Sequence, residues 1–314
     1  MDTPSNLTSE IPLALAGKRL DQALSQLFPE YSRNRIQDWI REGAVRVDGK
    51  PAQTKQKVFG GESVDLTPTF EAVTTVAPEA IPLTILYEDE AVIIVDKPKG
   101  LVVHPAAGHH DGTLQNALLH HAPELIQVPR SGIVHRIDKD TSGLLMVART
   151  VEAHKILVEQ LQAHSVHRQY LALIQGSLTG GGTIDLPIGR HGTDRKRFAV
   201  RRDGKPAITH YRIEERFPTH TLVQVNLETG RTHQIRVHMT HIGHPLVGDP
   251  VYGGRARLPP GASPSLIAAL QGFKRQALHA ASLGIEHPIS GDYMEWESPL
   301  PPDFEGLIES LREG

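Results

Sequence analysis

Cysteine is absent from the 314 residues, which excludes disulfides, thiolate metal sites, iron–sulfur clusters and a cysteine nucleophile, and permits a reducing compartment. Nucleotide-binding turns are missing too, since the chain holds neither a Gly-x-x-x-x-Gly-Lys-Ser/Thr loop nor a Gly-x-Gly-x-x-Gly turn. The 18 histidines include His109-His110 and His120-His121, yet no His-Glu-x-x-His spacing occurs and adjacent histidines rarely converge on one ion. Long apolar runs and internal repeats are also lacking. Met1 to Ala16 carries acids and no bases, and its apolar stretch from Ile11 to Ala16 is too short for a signal peptide or a membrane span. Residues 1–16 are therefore expected to be a flexible N-terminus, and the protein to be cytoplasmic with no membrane partner.

A net positive charge is missing as well. The formal value is −3, whereas proteins that grip phosphates normally carry a basic footprint. The charge is unevenly distributed, however. From Glu286 onward there are eight acids and one base, so the first 285 residues carry +4. Bases also cluster between Arg190 and Lys205, where Arg190, Arg195, Lys196, Arg197, Arg201, Arg202 and Lys205 outnumber Asp194 and Asp203. Such a run is either a solvated loop or a phosphate contact, and charge alone does not choose.

With 39% apolar residues the chain has enough hydrophobic content for a sizeable core plus a smaller module. The stretch Pro68 to Pro82 reads as an extended linker between them. Before it, Leu20, Leu24 and Leu27 recur at helical spacing, Pro29 breaks the pattern, and Ser32 is placed to cap a second helix carrying Ile36, Trp39 and Ile40 up to Gly43. Val45 and Val47 then lead into Asp48-Gly49, a hairpin turn, and a second short strand runs to Val64. Arg33, Arg35 and Arg41 lie outside the apolar positions of the second helix, as either a solvated face or a phosphate-binding one. The run Arg19-Leu20-Asp21, Leu24, Leu27, Ser32-Arg33, Ile36, Ile40, Gly43, Val45, Val47, Gly49, Gly61-Glu62 and Val64 resembles the S4 RNA-binding domain over residues 17–76. The resemblance implies a module that grips RNA and does no chemistry.

Residues 77–314 are expected to form an α+β domain, because strand patterns recur without regular intervening helices. Ile85 to Tyr87 pairs with Ala91 to Val95 across Glu88-Asp89-Glu90. Leu144 to Ala148 suits a buried strand, Val151 to Ala163 a helix behind Thr150, and Tyr170 to Ile174, Ile208 to Ile213 and Leu222 to Leu227 further strands. Ile235, Met239 and Ile242 mark a helix closed by Gly243. Between Tyr252 and Ala277 lies an insertion with a helical stretch near Leu266 to Leu270.

Two segments concentrate chemistry. Gly132-Ile133-Val134-His135-Arg136-Ile137-Asp138-Lys139-Asp140-Thr141-Ser142-Gly143 wedges charged and turn-forming residues between apolar runs; an Asp in such company more often caps a turn than reacts. Gly230-Arg231-Thr232-His233-Gln234-Ile235-Arg236-Val237-His238 leads to Gly248-Asp249-Pro250. Arg236 sits about 100° round the helix from Ile235. It either snorkels over apolar neighbours or pairs with a carboxylate in a semi-buried pocket. Asp138-Lys139-Asp140-Thr141 also satisfies a loose phosphatase pattern, but His135 and Arg136 interrupt the strand that chemistry wants, and no Asp-Asp pair follows. A pure RNA-binding or assembly factor is a further alternative, since the N-terminal module alone supports it.

Taken together these motifs resemble the RluA family of pseudouridine synthases, over nearly the whole chain beyond residue 16. The family's usual His-Arg-Leu-Asp reads His135-Arg136-Ile137-Asp138 here, continuing through Thr141. The resemblance implies a mixed, mainly antiparallel β-sheet with flanking helices. It makes Asp138 the catalytic carboxylate, Tyr170 of His167-Arg168-Gln169-Tyr170 the ring that stacks on the target uracil, and Arg236 the partner of Asp138. Leu278 of Ala277-Leu278-His279-Ala280 packs against the pocket, Arg136 fills the place of the displaced base, and His135 and Thr141 accompany the substrate. Arg33, Arg35, Arg41, Arg195 and Arg197 become RNA contacts. The implied reaction breaks the bond from N1 to C1′, turns the uracil and joins C5 to C1′. Nothing enters or leaves, so no metal and no cofactor is expected. A carboxylate near C1′ and C2′ is needed, as nucleophile or as base, and pairing with Arg236 favours its ionised form. The expected partner is RNA, a stem-loop of large-subunit ribosomal RNA either free or in a pre-ribosomal particle, met by a monomer.

Overall fold

The computed structural model describes residues 7–29, 31, 33–67, 76–105, 111–194 and 196–314, without the side chains of Asn34 and Arg35. Ser32 as a helix cap, residues 68–75 of the expected linker, His109-His110 and Arg195 lie outside the described residues. Two compact units divide the chain at Thr75 and Val76.

The first unit runs β1 (Leu7–Glu10), α1 (Leu20–Leu27), α2 (Arg33–Arg41), β2 (Val45–Val47), β3 (Lys50–Pro51) and β4 (Ser63–Leu66), with the sheet ordered β1-β4-β2-β3. Leu20, Leu24, Ile36, Trp39 and Ile40 from the helices pack on Val45, Val47, Val64 and Leu66, each nearly or fully buried. The hairpin turn is tight because Asp48 and Gly49 both take positive φ, +49° and +73°, the geometry that matches strand twist. The expectation of a flexible N-terminus is corrected for residues 7–16, residues 1–6 lying outside the described ones. Leu7–Glu10 pairs antiparallel with β4, and Ile11 is fully buried in the module's core. Of the apolar stretch from Ile11 to Ala16, Ile11 alone is buried, and Leu13 stays exposed.

The second unit adds β5 (Thr84–Glu88), β6 (Val92–Lys97), α3 (Leu114–His121), β7 (Ser142–Ala148), α4 (Val151–Gln162), β8 (His167–Gln175), β9 (Gly182–Asp185), β10 (Ile188–Arg190), β11 (Phe198–Val200), β12 (Ile208–Arg216), β13 (His220–Leu227), α5 (Gln234–His241), α6 (Pro264–Gly272), β14 (Leu278–Glu286), β15 (Tyr293–Glu297) and α7 (Pro302–Glu313). Nine strands form one sheet, ordered β5-β6-β7-β14-β8-β13-β12-β9 with β15 on β14. Every pairing in it is antiparallel except β7 with β14. Successive side chains of a strand point to opposite faces, and both faces are covered here, so β7 is buried at all seven positions. Ile93, Val95, Leu145 and Val147 meet Leu114 and Leu118 of α3 and Ile235 and Met239 of α5 on one face. Ile94, Leu144 and Met146 meet Ala153 and Leu157 of α4 on the other. The insertion helix α6 packs Leu266 and Leu270 on Phe304, Leu307, Ile308 and Leu311 of α7, so the acidic C-terminal segment closes a hydrophobic cluster.

One glycine decides how the site is built. Gly143 has φ +105°, and a Cβ there would lie 2.2 Å from the Ala280 carbonyl oxygen, so only glycine lets β7 run parallel beside β14. That pairing puts the end of the Asp138 loop next to Leu278.

Candidate active site

The loop before β7 is clamped by its carbonyls. Lys97, fully buried at the end of β6, donates from Nζ to the carbonyls of Lys139 (3.0 Å), Leu101 (3.0 Å) and Pro98 (2.8 Å). Burial pushes its pKa down to about 7, against the opposing charges of Asp140 and Asp138. Gly100 N–H also donates to the Lys139 carbonyl, at 2.9 Å. Arg275 donates from Nη1 to the Asp140 carbonyl at 3.2 Å, and Gln276 from Nε2 to Thr141 Oγ1 at 3.1 Å. Thr141 N–H closes the turn on the Asp138 carbonyl at 3.1 Å. A turn pinned at three consecutive residues holds its side chains in fixed directions.

Asp138 projects from this turn into a cleft of about 740 Å³, with 17% of its side chain exposed. Its Oδ2 accepts from Arg236 Nη1 at 2.8 Å. Arg236, on the first turn of α5 with 5% of its side chain exposed, commits Nε and Nη2 to Asp249, at 2.7 and 2.9 Å. Asp249 is itself held by the N–H groups of Val251 and Tyr252, at 2.8 and 3.0 Å. The Tyr252 ring lies under the guanidinium, 5.0 Å from ring centroid to Cζ. Burial works against the Arg236 cation, but the hydrogen bonds and charges of Asp249 and Asp138 outweigh it and raise its pKa above the ordinary arginine value.

Tyr170 and Leu278 line the same cleft, 7% and 4% exposed. They meet because Leu278 and Tyr170 stand two positions apart across the β14–β8 pairing, where Leu278 faces Ala172 and Ala280 faces Tyr170. Burial pushes the Tyr170 phenol up, so the ring stays neutral. Arg136 is exposed at the cleft. His135 and Thr141 also line it, but both are committed to scaffold: Met146 N–H donates to His135 Nε2 at 3.1 Å, and burial drops that imidazole to about pKa 3, which leaves it neutral. Asp140, the other acid of the motif, does not line the cleft.

The expected RNA contacts divide. Arg33 places Nε and Nη2 on Asp21, at 3.0 and 2.7 Å, and that fully buried carboxylate also holds Arg19 and Gln37. Burial raises the Asp21 pKa, but those partners outweigh it and bring it below the usual carboxylate value. Arg33 thus braces α1 against α2. Arg41 is exposed and pairs with Asp38 in its own helix at 2.5 Å. Arg197, between β10 and β11, stacks its guanidinium over Tyr252 at 5.3 Å.

Lys97, Tyr252, Arg275 and Gln276 have evident roles but were not singled out from the sequence, and Asp249 was quoted there without a role. For Asp249 a signal existed. It is the only acid between Glu228 and Glu286, in a stretch that carries six Lys and Arg, so a buried arginine there has no other local counterion.

A clamped carboxylate, a doubly paired arginine and a buried tyrosine thus meet at one cleft of a domain built on a mainly antiparallel sheet. The family model described as RNA pseudouridylate synthase matches residues 91–241, which hold Asp138, Tyr170 and Arg236, and the S4 domain matches residues 18–64. The chain belongs to the RNA pseudouridylate synthase family and is an isomerase of uridine in RNA. It is 57% identical to ribosomal large subunit pseudouridine synthase D of Pseudomonas aeruginosa over 97% of this chain and 95% of the relative. The enzyme of that name from Escherichia coli K12 is 55% identical over 98% and 94%. The solved human RNA pseudouridylate synthase domain containing 1 shares 26% identity at a TM-score of 0.55, covering 75% of this chain and 97% of that one. Among the described residues no helix is long and apolar enough to cross a membrane.

Proposed function

We propose that the protein isomerises specific uridines in a stem-loop of large-subunit ribosomal RNA, acting as a monomer in the cytoplasm, with Asp138 as the reacting carboxylate. The observation that carries this reading is the ion-pair chain Asp138–Arg236–Asp249 at a cleft lined by Tyr170 and Leu278. Its substrate side rests on the near full-length similarity to relatives named for the large ribosomal subunit.

Arg236 binds Asp138 Oδ2, which leaves Oδ1 open to the cleft for reaction at C1′ or for the proton at C2′. Because the cation is already held by Asp249, it does not need to reorganise as charge moves. Tyr170 stacks on the detached uracil and limits its escape, and Leu278 packs the far side. The target nucleotide leaves its stack to enter, which costs about a few kcal/mol, and Arg136 at the cleft is placed to fill the gap. Arg41 of the S4 module and Arg197 beside the basic hairpin contact phosphates and position the RNA.

Mapping pseudouridine in ribosomal RNA from cells with and without the protein tests the substrate. The expected result is loss of defined large-subunit sites, and identical maps would remove the claim. Asp138→Asn should leave RNA affinity within a few-fold of wild type and abolish turnover.

A further inference from the structure

We infer that His233 is a further catalytic residue, whose Nε2–H donates a hydrogen bond to a carbonyl oxygen of the uracil while that base is detached from the ribose. The inference rests on reading this cleft as the uridine-isomerising site.

His233 is the N-cap of α5, yet it makes no side-chain cap hydrogen bond. Its backbone is left-handed, φ 58° and ψ 22°, a conformation that non-glycine residues hold only where the surroundings impose it. The imidazole is therefore aimed by something other than the helix. Phe198 and Tyr252 grip it edge-on, with ring centroids 5.6 and 5.7 Å away at 73° and 79°. Its Nδ1 lies 2.9 Å from the Tyr252 hydroxyl, and its Nε2 lies 3.9 Å from Asp138 Oδ1. That carboxylate oxygen is the one Arg236 leaves open.

The Tyr252 contact fits the tautomer with its proton on Nε2. The Tyr252 hydroxyl accepts the Phe198 N–H at 2.9 Å, so its own proton is available for Nδ1, the acceptor facing it. With Nδ1 accepting, the ring's proton sits on Nε2. Burial lowers the imidazole pKa, against the opposing pull of Asp138, so the ring is a neutral donor rather than a cation. At 3.9 Å the Nε2–H makes no bond to Asp138, so it remains available and faces the cleft.

The reaction supplies the acceptor. When N1–C1′ breaks, its electron pair stays on the uracil and spreads onto the ring carbonyls. A fixed neutral donor gains most when that charge develops, and it keeps its own proton throughout, so no proton transfer or co-reactant is involved. A cation in the same place would pair with Asp138 and occupy the open oxygen.

Three variants separate a donor from a structural strut, read by single-turnover kinetics and RNA affinity on a ribosomal RNA stem-loop. Asparagine tolerates the left-handed backbone and keeps a polar atom near Nδ1, but it does not reach the Nε2 position. His233→Asn is expected to fold and bind RNA as wild type does, with turnover down roughly 100-fold. His233→Gln, whose amide reaches the Nε2 position, should recover at least about tenfold of that loss, and Tyr252→Phe, which releases the tautomer, should fall between them. Nitrogen-15 NMR of the full chain should find the proton on Nε2. Undiminished turnover in His233→Asn, no recovery in His233→Gln, or a proton on Nδ1 would overturn the inference while wild-type turnover left the reading of the site intact. Wild-type protein that forms no pseudouridine would sink the reading itself.

Discussion

Arg236 makes three charge-assisted hydrogen bonds to two carboxylates, one to Asp138 and a fork to Asp249. A guanidinium presents donors in a rigid plane, whereas an ammonium is a compact point charge that reaches only one such partner well. Arg236→Lys should therefore lower the single-turnover rate by about 10²-fold with RNA affinity nearly unchanged, a loss that a simple charge requirement would not produce. Asp249→Ala acts one bond further out. It leaves a buried cation with one partner and strands two backbone N–H groups, so it should cost about 3–5 kcal/mol of stability and at least tenfold in rate, read by thermal unfolding and turnover. Asp138, Tyr170 and Arg236 were legible in the sequence as members of motifs. Their supports were less so, because the role of Lys97 exists only where the Lys139 carbonyl, 42 residues further along the chain, folds back beside the local carbonyls of Pro98 and Leu101.

At the scale of elements, the reading from periodicity succeeds where a segment carries its own local pattern. β7, β8, β12 and β13 contain the runs expected of them, and β6, α4 and α5 match theirs but for Ala91, Ala163 and Ile242, each one residue outside its element. β14 was not legible, since Leu-His-Ala-Ala-Ser-Leu-Gly-Ile-Glu is poor in branched residues, and its place between β7 and β8 is set by partners over a hundred residues away. α7 was hidden behind its charge and was not read as an element, although Pro302 stands at its first turn and its apolar residues recur at helical spacing. Its Asp303 has a specific task. It accepts from Arg275 Nε and Nη2 at 2.8 and 3.0 Å and from Lys99 at 2.8 Å, while Arg275 reaches on to the Asp140 carbonyl, so α7 is tied to the catalytic turn. Partial burial works against the Asp303 carboxylate, but Arg275 and Lys99 outweigh it and hold its pKa at about 2. A carboxyl whose folded pKa is depressed contributes stability above its unfolded pKa and loses it as pH falls through the folded value. Asp303→Asn should thus cost about 1–2 kcal/mol at neutral pH, after allowance for solvent screening, and the gap from wild type should close between about pH 4 and pH 2. Thermal unfolding across that range checks it, and a gap that persists at pH 2 would assign the stabilisation to packing.

On the scale of the whole molecule, a formal charge of −3 has to be reconciled with an RNA substrate. The resolution is segregation: acids gather in the last 29 residues, which build β15 and α7, while the hairpin of β10 and β11 and its flanks hold the bases. Lys196, Arg202 and Lys205 are exposed there, whereas Arg201 is engaged by Asp203 at 2.8 and 2.9 Å. Phosphate contacts release condensed counterions, so affinity depends on the local number of contacts and not on net charge. The logarithm of RNA affinity should fall steeply and linearly with the logarithm of salt concentration despite the acidic total. Replacing Lys196, Arg202 or Lys205 by Gln should flatten that slope by about 0.7–0.9 for each phosphate contact removed, with the maximal single-turnover rate at saturating RNA unchanged. Arg201→Gln should do less, because its guanidinium is already paired with Asp203 in the free protein. Equal slopes for all four variants and wild type would move the phosphate-binding surface away from this hairpin and leave the S4 module to carry it.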